Sequence, residues 1–390
     1  MNKTDPLRSI EIYPLSIPRD TPYLGPLEND LKPNGRGYFV RPGNRSVYST
    51  RDHSVLVKLT TASGVHGWGE CVTVVAPGVV VEILRDLIWP MIEGRDPQEV
   101  VAIYEDLYDA MRVRGFFGGF YHDAIAAVDI ALWDLKGKLC GLPVSRLLGA
   151  QRHTSLPAYV SGLPCPTLAE RAALAKDWAG KGFPAIKFAA AVSHEGIPEE
   201  MAALREAVGP GCKLLIDMHW KFSAGEAIQL ITELEQHKLY VAEAPVHPED
   251  TEGQARVARA VKTPVALGEE LRTAYECRPK LEAGCMDILQ PEMGRTGITA
   301  FWFICQMAKT WNVRVMPHAS IGIGIFQAAS LQVSAALTNC PLHEYQHSIF
   351  DRYLPLLDTT MSCQAGVFTV PTSPGLGVEV RSEALKYATQ

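Results

Sequence analysis

Five polar residues of this 390-residue chain recur at nearly one interval: Asp217 in LLIDMHW, Glu243 in YVAEAP, Glu269 in VALGEE, Glu292 in DILQPE and His318 in VRVMPH. The separations are 243 − 217 = 26, 269 − 243 = 26, 292 − 269 = 23 and 318 − 292 = 26, each about one strand plus one helix. Because each residue ends a short apolar run, the five side chains should meet at one rim of a set of parallel strands. Three carboxylates converging on one spot repel unless a cation holds them. Oxygen-only ligation favours a hard divalent ion, and Mg²⁺, which keeps positions open for substrate, fits Asp217, Glu243 and Glu269 best. The competing role for an acid at a strand end is to cap the following helix; three in register, each after an apolar run, weigh against capping alone.

Glu292 and His318 end consecutive strands, which lie about 4.8 Å apart. The carboxylate can therefore bond one imidazole nitrogen, fix the tautomer and raise the ring's basicity, which makes His318 a general-base candidate. A third kind of group, Lys187 in FPAIKFAAAVSH, is a lone cation in an apolar strand. It could be a base, a substrate clamp, a Schiff-base nucleophile or a lysine at a strand tip.

The elements that must position these groups follow from the pattern. SVLVKLTTASGVHGWGECV (54–72) is two alternating runs around Ala62-Ser63-Gly64, a hairpin signal. Before it lies a long Pro/Gly/Arg/Tyr-rich connection (19–52), of a length that is usually functional or disordered. HDAIAAVDIALWDLKGKLCG carries apolar residues at helical spacing and is stopped by Gly141 and Pro143. From about residue 155, eight apolar runs (LPAYV, FPAIKFA, KLLID, YVAEAP, PVALGEE, MDILQPE, VRVMPH, LHEYQ) alternate with amphipathic stretches. This predicts an α/β chain built on a TIM-type (β/α) barrel of about eight strands, with an N-terminal α+β capping domain completed by the C-terminal segment. The expected boundaries are 1–145 for the cap, 146–360 for the barrel and 361–390 for the returning segment.

Bulk properties narrow the class. A net charge of −6 and a pI near 6.0 speak against nucleic-acid binding. No apolar run approaches a membrane span, and the N-terminus has no signal-like apolar core. Nine cysteines without a CxxC pair suggest free thiols in a reducing cytoplasm.

The order of these motifs resembles the mandelate racemase-like branch of the enolase superfamily across essentially the whole chain. AVDIALWDLKGKLCGLPVSRLLGA (127–150) is similar to that branch's cap-to-barrel junction, and GWGEC, QPEMGRTGI, MPHASIGIG and PGLGVEV agree in order and spacing. The resemblance implies Mg²⁺ on Asp217, Glu243 and Glu269, an acid/base dyad of Glu292 and His318, and an oligomer. The family's dyad carboxylate is usually aspartate, so Glu292 departs from it. Many relatives carry Lys-x-Lys at the end of the second strand, the second lysine being a base. Here the triplet is Lys187-Phe188-Ala189. Strand alternation puts residues 187 and 189 on one side, so the second base is replaced by a methyl group and Lys187 is expected to meet the substrate carboxylate. His219, two residues after Asp217, resembles the Asp-x-His of mannonate dehydratase-like members and is expected in the barrel mouth as a general acid. Glu344 is expected to hydrogen-bond the substrate carboxylate, Trp220 to line the pocket, and GIGIG (322 and 324) to approach the substrate.

The reaction so implied is dehydration of an aldonate or aldarate to a 2-keto-3-deoxy acid through an enediolate, with Arg19, Tyr23, Arg41, Arg45 and Tyr48 of the long loop as substrate donors. One rival is a cycloisomerase or epimerase of the same superfamily acting on an anhydro-sugar acid or lactone. Two others are a Schiff-base aldolase using Lys187 and a metal-retaining binding protein without turnover.

Overall fold

A computed structural model describes residues 5–27 and 31–389. Strands Leu7–Pro18, Arg51–Thr61 and His66–Val72 form an antiparallel sheet in that order. The predicted hairpin is its second and third strands, paired from Ser54 against Val72 to Thr60 against His66. Helix Gly119–Cys140 packs between this sheet and helix Met293–Thr310 of the barrel, and most of its residues are buried. It therefore lacks the one-sided polarity of a surface helix. Two of its acids tie cap to barrel and tail. Asp129 accepts from the N–H of Thr299 (2.9 Å) and from its hydroxyl, and Asp134 accepts from the N–H groups of Trp68 and Leu376. The helix ends at Gly141 in the left-handed region (φ 67°), as its sequence predicts.

The eight predicted barrel strands are all present: Ser155–Ser161, Ala185–Ala189, Lys213–Asp217, Leu239–Glu243, Val265–Leu267, Ile288–Leu289, Arg314–Val315 and His343–Tyr345, called first to eighth below. Parallel ladders join them in chain order from first to seventh, and the eighth pairs with the first. Between seventh and eighth, the Glu344 N–H donates to the Pro317 carbonyl at 3.4 Å. Several intervening helices start on S/T-x-x-E boxes: Thr167, Ser223 and Thr273 accept from the N–H groups of Glu170, Glu226 and Glu276. At the C-terminal end of the chain, a hairpin (Ser362–Gln364 and Val367–Thr369) adds antiparallel to the first barrel strand. Beyond it, the N–H of Thr389 donates to the Pro14 carbonyl of the cap. No helix among the described residues is long and apolar enough to cross a membrane.

The barrel interior explains where the chemistry sits. One inner layer is Tyr159, Ala185, Leu215, Val241, Ala266, Ile288, Met316 and Leu342, one residue from or beside each strand, all packed together. Side chains alternate along a strand, so adding two to each number gives the next inward layer: Ser161, Lys187, Asp217, Glu243, Gly268, Gln290, His318 and Glu344. An apolar plug is thus covered directly by a nearly all-polar layer at the C-terminal rim.

Candidate active site

One position in that polar layer is a glycine for a stated reason. Gly268 takes φ +136°, and a Cβ there would lie 2.9 Å from Leu289 Cδ1 and 3.0 Å from the Gln290 nitrogen. Its turn out of register brings Glu269 rather than residue 268 to the site, while Glu270 leads away to Lys280 (3.7 Å). Glu243, Glu269 and His318 then place one donor atom each within 4.8 Å of one another. Asp217 sits beside Glu243 in the ladder, its Oδ1 accepting from the His219 N–H at 2.9 Å and its Oδ2 3.2 Å from His219 Nε2.

The expected contact between Glu292 and His318 is present. His318 Nδ1 lies 2.7 Å from Glu292 Oε2, and Nε2 lies 2.8 Å from Glu269 Oε2. Glu292 is fully buried, and its other oxygen accepts from the Gly294 N–H at 3.0 Å at the start of helix Met293–Thr310. The capping role weighed for strand-end acids therefore applies to Glu292 in addition to its contact with the imidazole. Burial works against a charged His318, but the carboxylates of Glu269 and Glu344 outweigh it and hold the ring well above its ordinary range. Burial likewise works to raise Glu269, and the His318 charge reverses this and holds it low.

Beneath this pair, Lys187 contacts the chain's own carboxylates. Its Nζ lies 2.9 and 2.8 Å from the two oxygens of Glu243 and 2.9 Å from Glu344 Oε1, and only 3% of the residue is exposed. Burial pulls its pKa down, but Glu243 and Glu344 hold it well above the ordinary lysine value. Burial works to raise Glu344, the charges of Lys187 and His318 outweigh it and lower its pKa, and its Oε2 accepts from the Ala319 N–H. Gln290 Nε2 donates to Glu243 Oε2 at 2.8 Å.

Above this layer a cavity of about 410 Å³ is lined by Tyr23, Asn44, Tyr48, Asp123, Asp217, His219, Trp220, Glu269, Arg272, Arg295 and His318, among others. His219 reaches it by a backbone turn. The third strand ends at Asp217, and His219 and Trp220 both adopt left-handed backbone (φ 52° and 57°), so a turn rather than strand alternation aims the imidazole. Burial lowers the His219 pKa. Trp220 Nε1 donates to Glu269 Oε1 at 3.0 Å.

Of the loop donors, only the tyrosines reach the cavity. Gln346 Nε2 donates to the Tyr23 hydroxyl, and Asn44 Nδ2 to the Tyr48 hydroxyl. Arg19 pairs with Asp52 at 2.9 Å, Arg41 is wholly buried and donates to the carbonyls of Tyr23, Gly25 and Pro26, and Arg45 is exposed. None of the three lines the cavity. The glycine run after His318 also turns elsewhere: the N–H groups of Ile323, Gly324, Ile325 and Phe326 all donate to Glu70 of the GWGEC strand.

Sequence reasoning missed Arg272, Arg295, Asp123 and Gln290. The two arginines carry a readable signal: each follows a strand-end acid by three, 272 − 269 and 295 − 292, which places it one turn on over the same rim.

The cap and the barrel both match known family profiles. Residues 39–149 match the profile of the mandelate racemase/muconate lactonizing enzyme N-terminal domain, and residues 170–384 match that of the enolase C-terminal domain-like family. This chain belongs to the enolase superfamily. The crystal structure of a presumed isomerase from Sinorhizobium meliloti superposes with a TM-score of 0.97 at 52% identity, covering 99% of this chain and 100% of that one. D-galactarolactone cycloisomerase of Agrobacterium fabrum is 33% identical over 87% of this chain and 91% of its own length. D-galactonate dehydratase of Xanthomonas euvesicatoria is 31% identical over 87% and 92%.

Proposed function

We propose that this enolase-superfamily chain is a Mg²⁺-dependent hydro-lyase that converts a sugar acid to a 2-keto-3-deoxy acid by removing the α-proton and expelling the β-hydroxyl. The observation that carries the reading is the missing base at the end of the second barrel strand. His318, oriented by Glu292, is a base on one wall, whereas the second strand ends in the methyl group of Ala189. A racemase working from both faces needs a second base; an elimination does not.

The residues fit a hard divalent cation. Asp217 and Glu243 are both pushed up to about 7 by burial, an excess of desolvated carboxylate over nearby positive charge that a divalent ion would offset. Asp217, Glu243 and Glu269 would hold it, and when bound it supplies Lewis-acid stabilisation of charge on the substrate carboxylate. His318, in its neutral form, takes the α-proton, and the C–H electron pair becomes the enediolate double bond. That pair then expels the β-hydroxyl, which leaves as water with a proton from recycled His318 or from His219. The resulting enol tautomerises to the ketone. Glu292 holds the ring plane and tautomer throughout, and Tyr23 and Tyr48 close the cavity against water. Lys187 locks Glu243 and Glu344 in place. An ammonium paired with two carboxylates is a poor nucleophile, which weighs against the Schiff-base reading.

A cycloisomerase is the second reading, favoured by the 33% identical galactarolactone cycloisomerase, whose chemistry would share the α-proton step. Proton NMR in D₂O with Mg²⁺, over hexonates, pentonates, aldarates, lactones and anhydro-aldonates, separates them. A 2-keto-3-deoxy product that is lost with EDTA and in His318→Asn supports dehydration. A lactone-derived or ring-opened product supports cycloisomerisation. No α-proton exchange with any acid would overturn both.

A further inference from the structure

Arg295 and Arg272 line the same cavity, yet they stand in different electrostatic states. Arg272 is committed: its Nε and Nη2 donate to the two oxygens of Asp123 at 2.9 and 3.3 Å, and Nη1 donates to the Glu270 carbonyl. Asp123 belongs to the cap helix Gly119–Cys140, so this pair pins the cap to the fifth-strand loop. Arg295, partly buried on the first turn of helix Met293–Thr310, has no hydrogen bond or ion pair to its guanidinium among the described residues. It is near enough to Asp123 and Glu269 for its charge to act on both. Among the described residues, the wall where cap meets barrel thus holds one arginine hydrogen-bonded to an acid and one that is not.

A guanidinium drawn into a cavity without a partner is costly, and it is relieved by an anion of matching shape. A carboxylate matches the planar fork through two parallel N–H···O bonds. The reacting carboxylate belongs over Asp217, Glu269 and His318, whereas Arg295 stands on the wall of the same cavity that faces Asp123 of the cap helix. Arg295 therefore serves a second anionic group of the same molecule. We propose that Arg295 binds the distal carboxylate of a sugar diacid, so that the substrate is an aldarate or an aldarate-derived lactone rather than an aldonate. The inference rests on the reading of this cavity as an acid-sugar site.

The test uses the full chain with Mg²⁺ and stereochemically matched pairs, galactonate with galactarate and gluconate with glucarate, plus 6-phosphogluconate. Wild type, Arg295→Met and Arg295→Lys are compared by kcat/KM and, independently of turnover, by calorimetric Kd. A charge-assisted pair contributes about 1.5–3 kcal/mol, which is about 10- to 100-fold. Wild type should favour one diacid over its monoacid by that factor. Arg295→Met should erase the preference while changing monoacid binding less than about threefold, and Arg295→Lys should restore part of it. Equal binding of diacid and monoacid by wild type, equal loss on both in Arg295→Met, preference for the phosphorylated acid, or binding of no acid would each overturn the proposal. If no acid exchanges its α-proton but the diacid preference and its loss in Arg295→Met persist in Kd, enolisation fails and the Arg295 contact stands.

Discussion

His318 and Glu292 meet twice, once through a backbone bridge between the chain just past the sixth and seventh strands and once through the 2.7 Å contact of Nδ1 with Oε2. The double tie sets the ring relative to its carboxylate, leaving Nε2 as the nitrogen that faces Glu269 and the cavity. Replacing Glu292 by Gln keeps an acceptor for the Gly294 N–H but removes the charge that stabilises the imidazolium and selects the tautomer. In steady-state assays kcat should fall by about 10²–10⁴, with the thermal midpoint nearly unchanged. A loss under threefold would remove Glu292 from the chemistry.

Lys187 is the only cation hydrogen-bonded to Glu243 and Glu344 among the described residues. Lys187→Met leaves two buried carboxylates without it, and breaking such a cluster costs about 3–5 kcal/mol. Urea unfolding should show that loss, and adding Glu243→Gln should recover part of it. A change below about 1 kcal/mol in the single variant would contradict the locked arrangement.

His219 separates two sources of the departing proton. With His219→Asn, α-proton exchange should persist while net dehydration falls by about 10²–10⁴ if His219 is the acid. If both rates stay within a few fold of wild type, recycled His318 is the donor.

The cap loop touches the barrel through a glycine. A Cβ on Gly43 would lie 2.2 Å from the Ala191 carbonyl oxygen, just past the second strand. Gly43→Ala should lift Asn44 and Tyr48 off the cavity, raising KM several-fold with little change in unfolding midpoint. An unchanged KM would show that the loop does not seal the substrate.

Asp129 offers a stability readout far from the chemistry. Burial pushes it up to about 7 from 3.8, against the hydrogen bonds from Thr299 that lower it. The folded chain therefore holds a proton here that the unfolded chain releases between those values. Its contribution to stability is full below about pH 4 and declines as pH rises to about 7. Relative to wild type, Asp129→Asn should gain melting temperature across that window and no further above it. A difference that stays flat from pH 4 to 7 would mean that Asp129 is charged in the fold.

The eight strands and the rim were legible because a βα unit is a local object. An apolar run of five residues must be buried, its partner helix has a readable box such as Ser223-x-x-Glu226, and the repeat of 23 to 26 residues counts the units. Period-two alternation even orders the polar layer, from Lys187 and Asp217 through Glu344, above the apolar one. What it could not predict was pairing across the barrel and between cap and barrel. Whether Lys187 meets substrate or Glu243, and whether Arg41 meets substrate or the carbonyls of its own loop, depends on which partner lies within about 3 Å. Glu269 reaches the site through a positive φ at Gly268, and His219 through a left-handed turn, neither of which follows from hydrophobic period. The sequence by itself determined the barrel, the positions of the acids and the pairing of Glu292 with His318, because these depend on burial and spacing along the chain. Only the tertiary structure decided which charges neutralise one another and left Arg295 unpaired, because electrostatic partnership is set by distance in space between segments remote in sequence.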